Sequence, residues 1–414
     1  MKCSTGFYFS TVEPTALVQD GGGPCAVLAA VQAVIFREVM FTRKLKISEL
    51  TEADSLELLV SAVLNIVLLT AGDQKAECLH WAHWSQSDEP ESSKVHSKFD
   101  CFLRGLRLIE TDSIDELHGV IMSLVPDLQS KYGVLCFLYS VLINYGLESL
   151  RHGMADDADT LIDPVHGHAS QCLINLLISG QATPYLFDGE RNVSGITLTG
   201  ILKQPRTGFL TLFEALHYCE SGWYLKNPSY PIWILGSETH FTVLASPDPF
   251  LVCEETDIKS KGATLHQAEI EFTKLCTDQD TKAGFIRDSQ LEELLKRLHI
   301  SFTTVSLGNL KKSLDPENLG VILESTFLQH FFPQEMAKRL TTVRQFHVIH
   351  YNGLEKSNSD GRVRYQTGEA HILDPTEDLI ALEEIERSPI QRCLQTKWPT
   401  IRLRWDDGRT PSLN

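Results

Sequence analysis

Residues 19–36 read QDGGGPCAVLAAVQAVIF, and the rest of the chain is organised around this stretch. Three consecutive glycines allow a tight turn, Pro24 suits the first position of a helix, and the apolar run that follows predicts a buried helix. This order places Cys25 at a helix N-terminus. There the unpaired N–H groups and the helix dipole favour the thiolate, which is the nucleophilic form of cysteine.

Gln19 lies six positions before Cys25. Its side-chain amide is therefore close enough to donate to an oxyanion that forms on an attacked carbonyl. Two other interpretations of the segment stay open: a cysteine at the start of an apolar helix is often a buried structural side chain, and a glycine-rich turn before a helix can bind phosphate. Phosphate binding is disfavoured, because the segment has neither a Gly-Lys-Ser/Thr sequence nor a strand followed by GxGxxG.

The composition is that of a large globular protein that works inside the cell. The 414 residues are 43% hydrophobic and carry a net charge of −17, which disfavours a nucleic-acid partner. Ten cysteines without a CxxC pair indicate reduced thiols, and thus a cytoplasmic or nuclear location. We find no apolar stretch of the roughly 18 residues that span a bilayer and no signal peptide, so we expect no membrane partner.

Helices dominate the first part of the chain. Apolar periodicity predicts helices over residues 25–43, 51–69 and 171–180, and two helices within residues 113–148. The second of these helices begins with Thr51 and Asp54, which are spaced as in a capping box.

Strands become frequent after residue 182. We predict strands within residues 230–245, a hairpin formed by residues 345–353 and 363–373, and a last strand at 395–405. Four histidines lie in these strand-like runs, so periodicity does not select one of them as a base. They are His240, His347, His350 and His371.

Three segments contain residue types that can bind metal ions, and for each we favour a structural interpretation. Cys78, His80 and His83 lie together, but no second Cys/His pair follows at zinc-finger spacing. The acidic residues 156–159 are typical of a solvated loop. Residues 278–298 resemble a calcium-binding EF-hand loop and its exiting helix, yet the four key ligand positions hold no carboxylate. These positions are Gln279, Thr281, Ala283 and Gln290.

These patterns predict an α+β fold in a single domain of residues 1–414. Its N-terminal half is helical, a mixed β-sheet follows, and residues 255–320 form an EF-hand-like helical insert. We expect neither a metal ion nor a cofactor.

Several segments together resemble the MINDY family of cysteine-protease deubiquitinases, in the branch formed by its third and fourth members. The resemblance covers nearly the whole chain in the family's order, and its specific part is Gly-Gly-Pro-Cys with Gln19 upstream and His-Phe-Thr-Val far downstream. The resembling segments are residues 17–29, 173–180, 237–244, the EF-hand-like insert, 351–353, 398–399 and 411–414.

The resemblance implies a papain-related thiol hydrolase that cleaves isopeptide bonds in polyubiquitin. In the family, the preferred chain linkage is the one that marks proteins for proteasomal degradation. By position, Cys25 is the nucleophile, His240 the general base and Gln19 the oxyanion donor. Asn352 and Asp374 are candidates for the group that orients His240, because they end strands late in the chain. Ubiquitin and polyubiquitin are the implied partners.

Other functions remain compatible with the same residues. The chain could be a pseudoenzyme that binds ubiquitin without cleaving it, or an acyltransferase that uses the same Cys–His pair with an amine acceptor. A third alternative is a module regulated by calcium through the EF-hand-like insert.

Overall fold

The helix predicted after Cys25 is present and is buried along its whole length. This helix, α1, spans Cys25–Arg37, and Glu38–Thr42 continue it as a π-helical segment, so the predicted end near residue 43 is confirmed. Pro24 stands one position earlier than predicted, as the N-cap residue. Gly23 precedes it with a φ of 127°, a conformation that favours glycine.

The computed structural model describes most of the chain, and its residues belong to two compact units. The larger unit combines Met1–Val252 with Gln345–Asn414, and the smaller unit is Cys253–Arg344. The predicted insert of residues 255–320 lies within the smaller unit, which extends further along the chain. The described residues are 5–19, 23–72, 78–85, 98–154, 160–165, 167–252, 265–276, 284–298, 300, 302–332, 345–358, 360–373 and 388–414.

The larger unit is rich in helices, as predicted for the first part of the chain. After α1 these are α2 (Glu52–Ala71), α3 (Lys98–Gly105), α4 (Ile114–Ser123), α5 (Val125–Leu128), α6 (Gly133–Tyr145), α7 (Leu147–Gly153), α8 (Gln171–Ser179), α9 (Leu212–Ala215) and α10 (Trp223–Lys226). The prediction of two helices in residues 113–148 is wrong in number. Three breaks divide this segment into α4 to α7: Leu124, which leaves the helical conformation, the turn that precedes Gly133, and Gly146, with a φ of 92°.

The start of α2 confirms the predicted capping box. The Asp54 carboxylate accepts the Thr51 main-chain N–H at 2.8 Å, and the Thr51 hydroxyl accepts the Asp54 N–H at 3.3 Å. Both N–H groups would otherwise lack a partner, because the first turn of a helix has no carbonyl before it.

The strands of the two units, in chain order, are β1 (Tyr8–Phe9), β2 (Leu17–Val18), β3 (Leu79–Trp84), β4 (Leu106–Thr111), β5 (Glu190–Val193), β6 (Ile196–Thr199), β7 (Gly208–Thr211), β8 (Ile232–Gly236), β9 (Phe241–Ala245), β10 (Phe285–Arg287), β11 (Val321–Leu323), β12 (Gln345–Tyr351), β13 (Tyr365–Ile372) and β14 (Ile401–Trp405). In the larger unit, a six-stranded sheet has the order β14-β13-β12-β9-β8-β7. The pair β7 and β8 is parallel and the other neighbours are antiparallel. This mixed sheet, with the surrounding helices, confirms the α+β class.

The late strands agree with the sequence in position but not always in length. The predicted hairpin is confirmed, since β12 and β13 pair from Gln345↔His371 to Tyr351↔Tyr365. The predicted strand at residues 395–405 is shorter, because the helix Pro389–Gln395 (α15) and a turn precede β14.

Buried residues of α1 form the centre of the larger unit's core. The helix packs against α2, α8, β8 and β9. Gln32 lies in this core with no exposed surface, and its side chain makes three hydrogen bonds. It accepts the Leu17 N–H at 2.9 Å and donates to the Thr15 carbonyl at 3.1 Å and to the Tyr365 hydroxyl at 2.8 Å. One polar side chain thus joins α1 to the segment before Gln19 and to β13.

We expected no segment long and apolar enough to span a membrane. This expectation is wrong by length and composition, because two described helices meet both criteria. Cys25–Thr42 and Glu52–Ala71 each have a mean hydropathy of 1.7 over 18 residues. Within the larger unit, 83% of the first window and 56% of the second are buried. Their apolar side chains contribute to the core described above.

The smaller unit repeats one arrangement twice. Helices α11 (Leu265–Leu275) and α12 (Leu291–Arg297) flank β10, and α13 (Thr304–Leu314) and α14 (Glu324–Phe331) flank β11. The two strands are antiparallel, with Ile286 opposite Ile322. A glycine with positive φ stands two residues before each isoleucine: Gly284 at 61° and Gly320 at 76°. The unit has its own hydrophobic core.

Candidate active site

The fold brings the start of α1 against the start of β9. Main-chain N–H groups of Phe241, Ala26 and Cys25 itself donate toward the Cys25 sulfur. Phe241 is the first residue of β9 and directly follows His240. The Cys25 sulfur therefore lies close to the backbone that directly follows His240, although 215 positions separate the two residues in the sequence (240 − 25).

His240 is held on its other side by Asn352, which directly follows β12. The Nε2 atom of His240 lies 3.0 Å from Oδ1 of Asn352. Two further bonds fix which way the amide points: its Nδ2 donates to the Ser412 carbonyl at 2.9 Å, and its Oδ1 accepts the Leu354 N–H at 3.0 Å. Because Oδ1 can only accept, Nε2 carries the proton and Nδ1 keeps its lone pair when the ring is neutral.

The turn between β8 and β9 fixes the backbone of His240. The Ser237 N–H donates to the His240 carbonyl at 2.9 Å, and the His240 N–H donates to the Ser237 hydroxyl at 3.0 Å. These bonds hold the His240 backbone in place directly before β9.

Gln19 is joined through its main chain to the loop that carries Asn352. Its N–H donates to the Gly353 carbonyl at 2.8 Å, and the Tyr351 hydroxyl donates to the Leu17 carbonyl at 2.8 Å. Residues 20–22, which connect Gln19 to Gly23, lie outside the described part of the chain. The three residues assigned from the sequence thus belong to neighbouring segments.

Burial dominates the electrostatics of these groups. Cys25 and His240 are each 4% exposed, Gln19 is 6% and Asn352 is 3% exposed. Burial raises the pKa of the Cys25 thiol, and the three main-chain N–H groups offset this only in part. Burial also lowers the pKa of His240 to about 4; the bond to Asn352 acts in the opposite direction, and the nearby charge of Lys356 lowers the pKa further.

This result differs from the expectation that the helix N-terminus stabilises a thiolate. The N–H groups act on the sulfur as predicted, but the cost of burying a charge exceeds their effect. In this state both Cys25 and His240 are neutral at pH 7. The His240 ring is bonded to Asn352 and, among the described residues, not to the Cys25 sulfur.

The other candidate histidines lie further along the sheet. His350 is fully buried within β12, and burial lowers its pKa to about 3. His371 faces Glu369 at 3.7 Å on β13, opposite Gln345. His347 pairs with Glu369 in the register of β12 and β13. Of the two candidates for orienting His240, Asn352 contacts it, and Asp374 lies outside the described residues.

One group of possible metal ligands is present in the described part of the chain. Ligand atoms of Cys78, His80 and Glu110 lie within 4.8 Å of one another. The His80 ring already contacts both neighbours, with Nε2 3.8 Å from the Cys78 sulfur and 3.5 Å from the Glu110 carboxylate. His83, the third residue of this sequence group, faces Asp127 instead, at 3.4 Å.

The EF-hand-like positions are described only in part. Gln279, Thr281 and Ala283 lie outside the described residues, as do residues 156–159. Gln290, at the last ligand position, accepts the Arg287 N–H at 2.8 Å and donates to the Leu275 carbonyl at 2.8 Å. Its side chain therefore caps local backbone.

Sequence reasoning missed several residues that surround His240. Ser237 and Ser412 lie in the resembling segments 237–244 and 411–414 but had no role assigned, and Lys356 lies in none of these segments. Ser412 acts through its carbonyl, so its residue type does not signal its role. The sequence did give one related signal, because it predicted that strands begin or end beside His240 and Asn352.

Comparisons with known proteins show that the chain is similar in sequence to deubiquitinating enzymes. The sequence model of a family described as deubiquitinating enzyme MINDY-3/4, conserved domain, matches residues 3–261. A mouse protein, ubiquitin carboxyl-terminal hydrolase MINDY-3, is 39% identical over 435 residues, which cover 100% of this chain and 94% of the mouse protein. The Drosophila melanogaster MINDY-3 homolog is 34% identical over 462 residues, covering 100% of this chain and 80% of that protein.

A more distant relative matches only part of the chain. The mouse protein named probable ubiquitin carboxyl-terminal hydrolase MINDY-4 is 31% identical over 253 residues, which cover 58% of this chain and 33% of that protein. No solved structure matches. The family model includes Gln19, Cys25 and His240 within its matched residues, and the MINDY-3 relatives align along the remainder. The chain therefore belongs to the MINDY-3/4 family of deubiquitinating enzymes.

Proposed function

We propose that the protein hydrolyses isopeptide bonds in polyubiquitin, with Cys25 as nucleophile, His240 as general base and acid, and Asn352 as the group that orients His240. The observation that carries this proposal is the position of the Cys25 sulfur at the Phe241 N–H, beside a histidine whose Nε2 bonds to Asn352. A nucleophile, a base and an orienting group in this order are what covalent catalysis by a thiol requires.

Catalysis begins from the neutral pair. As ubiquitin's terminal carbonyl carbon approaches the sulfur, the Cys25 proton moves to Nδ1 of His240, and the sulfur forms a bond to the carbon. The imidazolium that results is stabilised by its Nε2–H bond to the Asn352 oxygen. The negative charge moves to the former carbonyl oxygen.

Collapse of this tetrahedral intermediate breaks the bond between the carbon and the lysine nitrogen. His240 returns its proton from Nδ1 to the departing amine, which leaves a thioester on Cys25. Water then attacks the thioester while His240 accepts a proton from it, and the sulfur leaves and regains its proton. The products are a free lysine amine, a carboxylate and the starting enzyme.

Gln19 is proposed to donate to the oxyanion through its side-chain amide. The main-chain bond from Gln19 to Gly353 supports this, because it holds Gln19 beside the loop that also positions Asn352. The N–H groups at the start of α1 point toward the same sulfur. An oxyanion donor contributes roughly 10²–10³ in kcat, so Gln19→Ala is expected to lose activity on this scale.

The net charge of −17 supports a substrate that presents a basic, extended tail, since complementary charge speeds encounter and fixes register. By resemblance to the family, we propose a preference for the linkage that directs proteins to proteasomal degradation. A cytoplasmic or nuclear location, with neither nucleic acid nor membrane as partner, completes the proposal.

The finer fold assignment is also proposed. We infer a papain-like core in the larger unit, in which a cysteine begins a helix and a histidine begins a strand of the sheet. The smaller unit is proposed to be a pair of EF-hand-like motifs that bind no calcium, supported by its glycine spacing and by the Ile286↔Ile322 pairing. In this view the whole chain is one catalytic domain with an insert.

A panel of linkage-defined diubiquitins and longer chains tests the function, with the wild-type protein and Cys25→Ala side by side. We expect free ubiquitin from the wild-type protein, none from Cys25→Ala, and labelling of Cys25 by a ubiquitin propargylamide probe. Binding without cleavage or labelling would indicate a pseudoenzyme instead. New conjugates with an added amine, at the expense of free ubiquitin, would indicate a transferase.

A further inference from the structure

The last four residues of the sequence lie against the candidate site. Pro411 is buried and Leu413 is 3% exposed, whereas the side chains of Ser412 and Asn414 are exposed between them. The two buried side chains fasten this tetrapeptide, residues 411–414, to the larger unit. Its polar groups are then directed at two different loops.

The first contact is with Asn352. The Ser412 carbonyl accepts a hydrogen bond from Asn352 Nδ2 at 2.9 Å, and this bond turns Oδ1 toward His240. If the carbonyl were removed, the amide would lose one of the two partners that distinguish its nitrogen from its oxygen, and only the Leu354 N–H would remain. A flipped amide would present N–H groups to the Nε2–H of His240, and the two donors would repel.

The second contact is with the turn that precedes His240. The Ser237 hydroxyl lies 2.5 Å from Oδ1 of Asn414, and the same hydroxyl accepts the His240 N–H at 3.0 Å. The Ser237 hydroxyl has a second possible acceptor, the His240 carbonyl at 3.1 Å, and the shorter distance to Asn414 favours donation to the Asn414 amide. The hydroxyl oxygen then still accepts the His240 N–H.

The third contact closes the arrangement. The Ser357 hydroxyl donates to the main-chain oxygen of Asn414 at 2.6 Å, and Ser357 lies in the loop that begins at Asn352. The tetrapeptide thus bonds to residues 237–239 on one side and to residues 352–357 on the other.

These two loops need such a connection because the sheet does not provide it. Strands β9 and β12 are neighbours, but their register ends at Val243↔Tyr351. His240 and Asn352 both lie beyond that last pair, where no main-chain ladder joins the two segments. The bond between their side chains and the bridge through residues 411–414 take over this role.

We propose that residues 411–414 are a positioning element for His240 and Asn352, and that they act through the Ser412 carbonyl and the Asn414 amide. This inference rests on the proposed function, in which His240 is the base. The tetrapeptide itself touches no reacting atom.

The test compares Asn414→Ala, Asn414→Asp and a chain that ends at Thr410 with the wild-type protein. Asn414→Asp keeps an oxygen that can accept from Ser237, whereas Asn414→Ala does not. Arg409→Ala is the matched control, because Arg409 is exposed in the same segment and its side chain is not used in the argument. Each variant is assayed for kcat and KM with a fluorogenic ubiquitin substrate, and for melting temperature.

We expect Asn414→Ala to lower kcat about 3- to 10-fold at unchanged KM, the scale of one hydrogen bond. Asn414→Asp should recover most of this loss. The chain that ends at Thr410 should lose roughly 10- to 100-fold, because misplacement of a catalytic group has effects of that size. Arg409→Ala should behave as wild type.

A second readout does not depend on ubiquitin. The rate at which iodoacetamide alkylates Cys25, followed by mass spectrometry of the Cys25 peptide, reports the imidazole titration when measured against pH. Loss of the bridge weakens the bond from Asn352, which favours the protonated ring, so the acidic inflection should move to lower pH in Asn414→Ala and not in Asn414→Asp or Arg409→Ala.

Wild-type kcat and an unchanged alkylation profile in both Asn414→Ala and the shortened chain would overturn the inference. A lower melting temperature without either change would also overturn it, since that result means a purely structural role. If the wild-type protein cleaves no ubiquitin conjugate, the proposed function fails, and the alkylation profile still decides the role of residues 411–414.

Discussion

Replacement of Asn352 by alanine tests the relation between His240 and its partner. During attack the imidazole becomes an imidazolium, and its bond to Asn352 changes from a neutral to a charge-assisted hydrogen bond. The former contributes about 0.5–1.5 kcal/mol and the latter about 1.5–3 kcal/mol. The difference, about 1–1.5 kcal/mol, is the part that stabilises the transition state, and it corresponds to about a tenfold decrease in kcat.

Asn352→Ala will also reduce stability, because it leaves the Leu354 N–H and the Ser412 carbonyl without their partner. A matched control separates the two effects. Asn144 is similarly buried, at 8% exposure, and makes three bonds of 2.7–3.0 Å: it accepts the His80 N–H and donates to the His80 and Ser140 carbonyls. Asn144→Ala should cost comparable stability and leave kcat unchanged.

The assay is steady-state hydrolysis of a fluorogenic ubiquitin substrate at a temperature where both variants are folded, together with thermal melting. The reasoning is refuted if Asn352→Ala and Asn144→Ala lower the melting temperature alike and both keep the wild-type kcat. That result would mean that the bond between His240 and Asn352 is structural only.

Three further predictions concern charge and packing. Lys356→Ala removes a charge that lowers the pKa of His240, so the acidic limb of kcat/KM should move to higher pH; no movement in the profile would contradict this assignment. The pKa values of His240 (about 4) and His350 (about 3) lie below the usual 6.5, so the unfolded chain binds protons at these histidines more readily than the folded chain. Their contribution to the free energy of unfolding is therefore fully present above about pH 6.5 and decreases toward pH 4. When the pH falls from 7 to 5, the protonation of each histidine should lower the free energy of unfolding, measured by urea titration, by about 2 kcal/mol. His350→Leu should remove about half of this combined loss. An unchanged pH dependence in that variant would exclude His350 as a source. Gln32→Ala leaves the Leu17 N–H and the Thr15 carbonyl unpaired, whereas the Tyr365 hydroxyl keeps its bond to the Thr15 hydroxyl. The free energy of unfolding should fall by about 2–4 kcal/mol, and a loss below about 1 kcal/mol in denaturant titration would show that the two groups find other bonds.

The sequence predicted the parts of this fold that local patterns determine. The capping box at Thr51, the helix after Cys25 and the hairpin of β12 and β13 all follow from spacing and periodicity, and all three are present. Helix boundaries within residues 113–148 were less accurate, because short apolar helices joined at glycine have the same periodicity as longer ones.

The candidate site could be predicted only in part. Gln19 and Cys25 share one motif, but His240 was one of several histidines in strands, and only the family resemblance selected it. The charge state of Cys25 was not predictable, because burial depends on how α1 packs against the sheet. The contribution of Ser412 was out of reach, since a main-chain carbonyl has no residue signature.

In the sequence, the smaller unit lies between β9, which directly follows His240, and β12, which directly precedes Asn352. Val243 and Tyr351 are paired neighbours in the sheet, yet 108 positions separate them (351 − 243). Closing so long a loop is slow compared with local folding. During synthesis, therefore, Cys25 and His240 are both translated before the insert, whereas Asn352 follows only after the ribosome has translated the whole insert. The hydrogen bond between His240 and Asn352 is in this way absent from a nascent chain until the insert is complete.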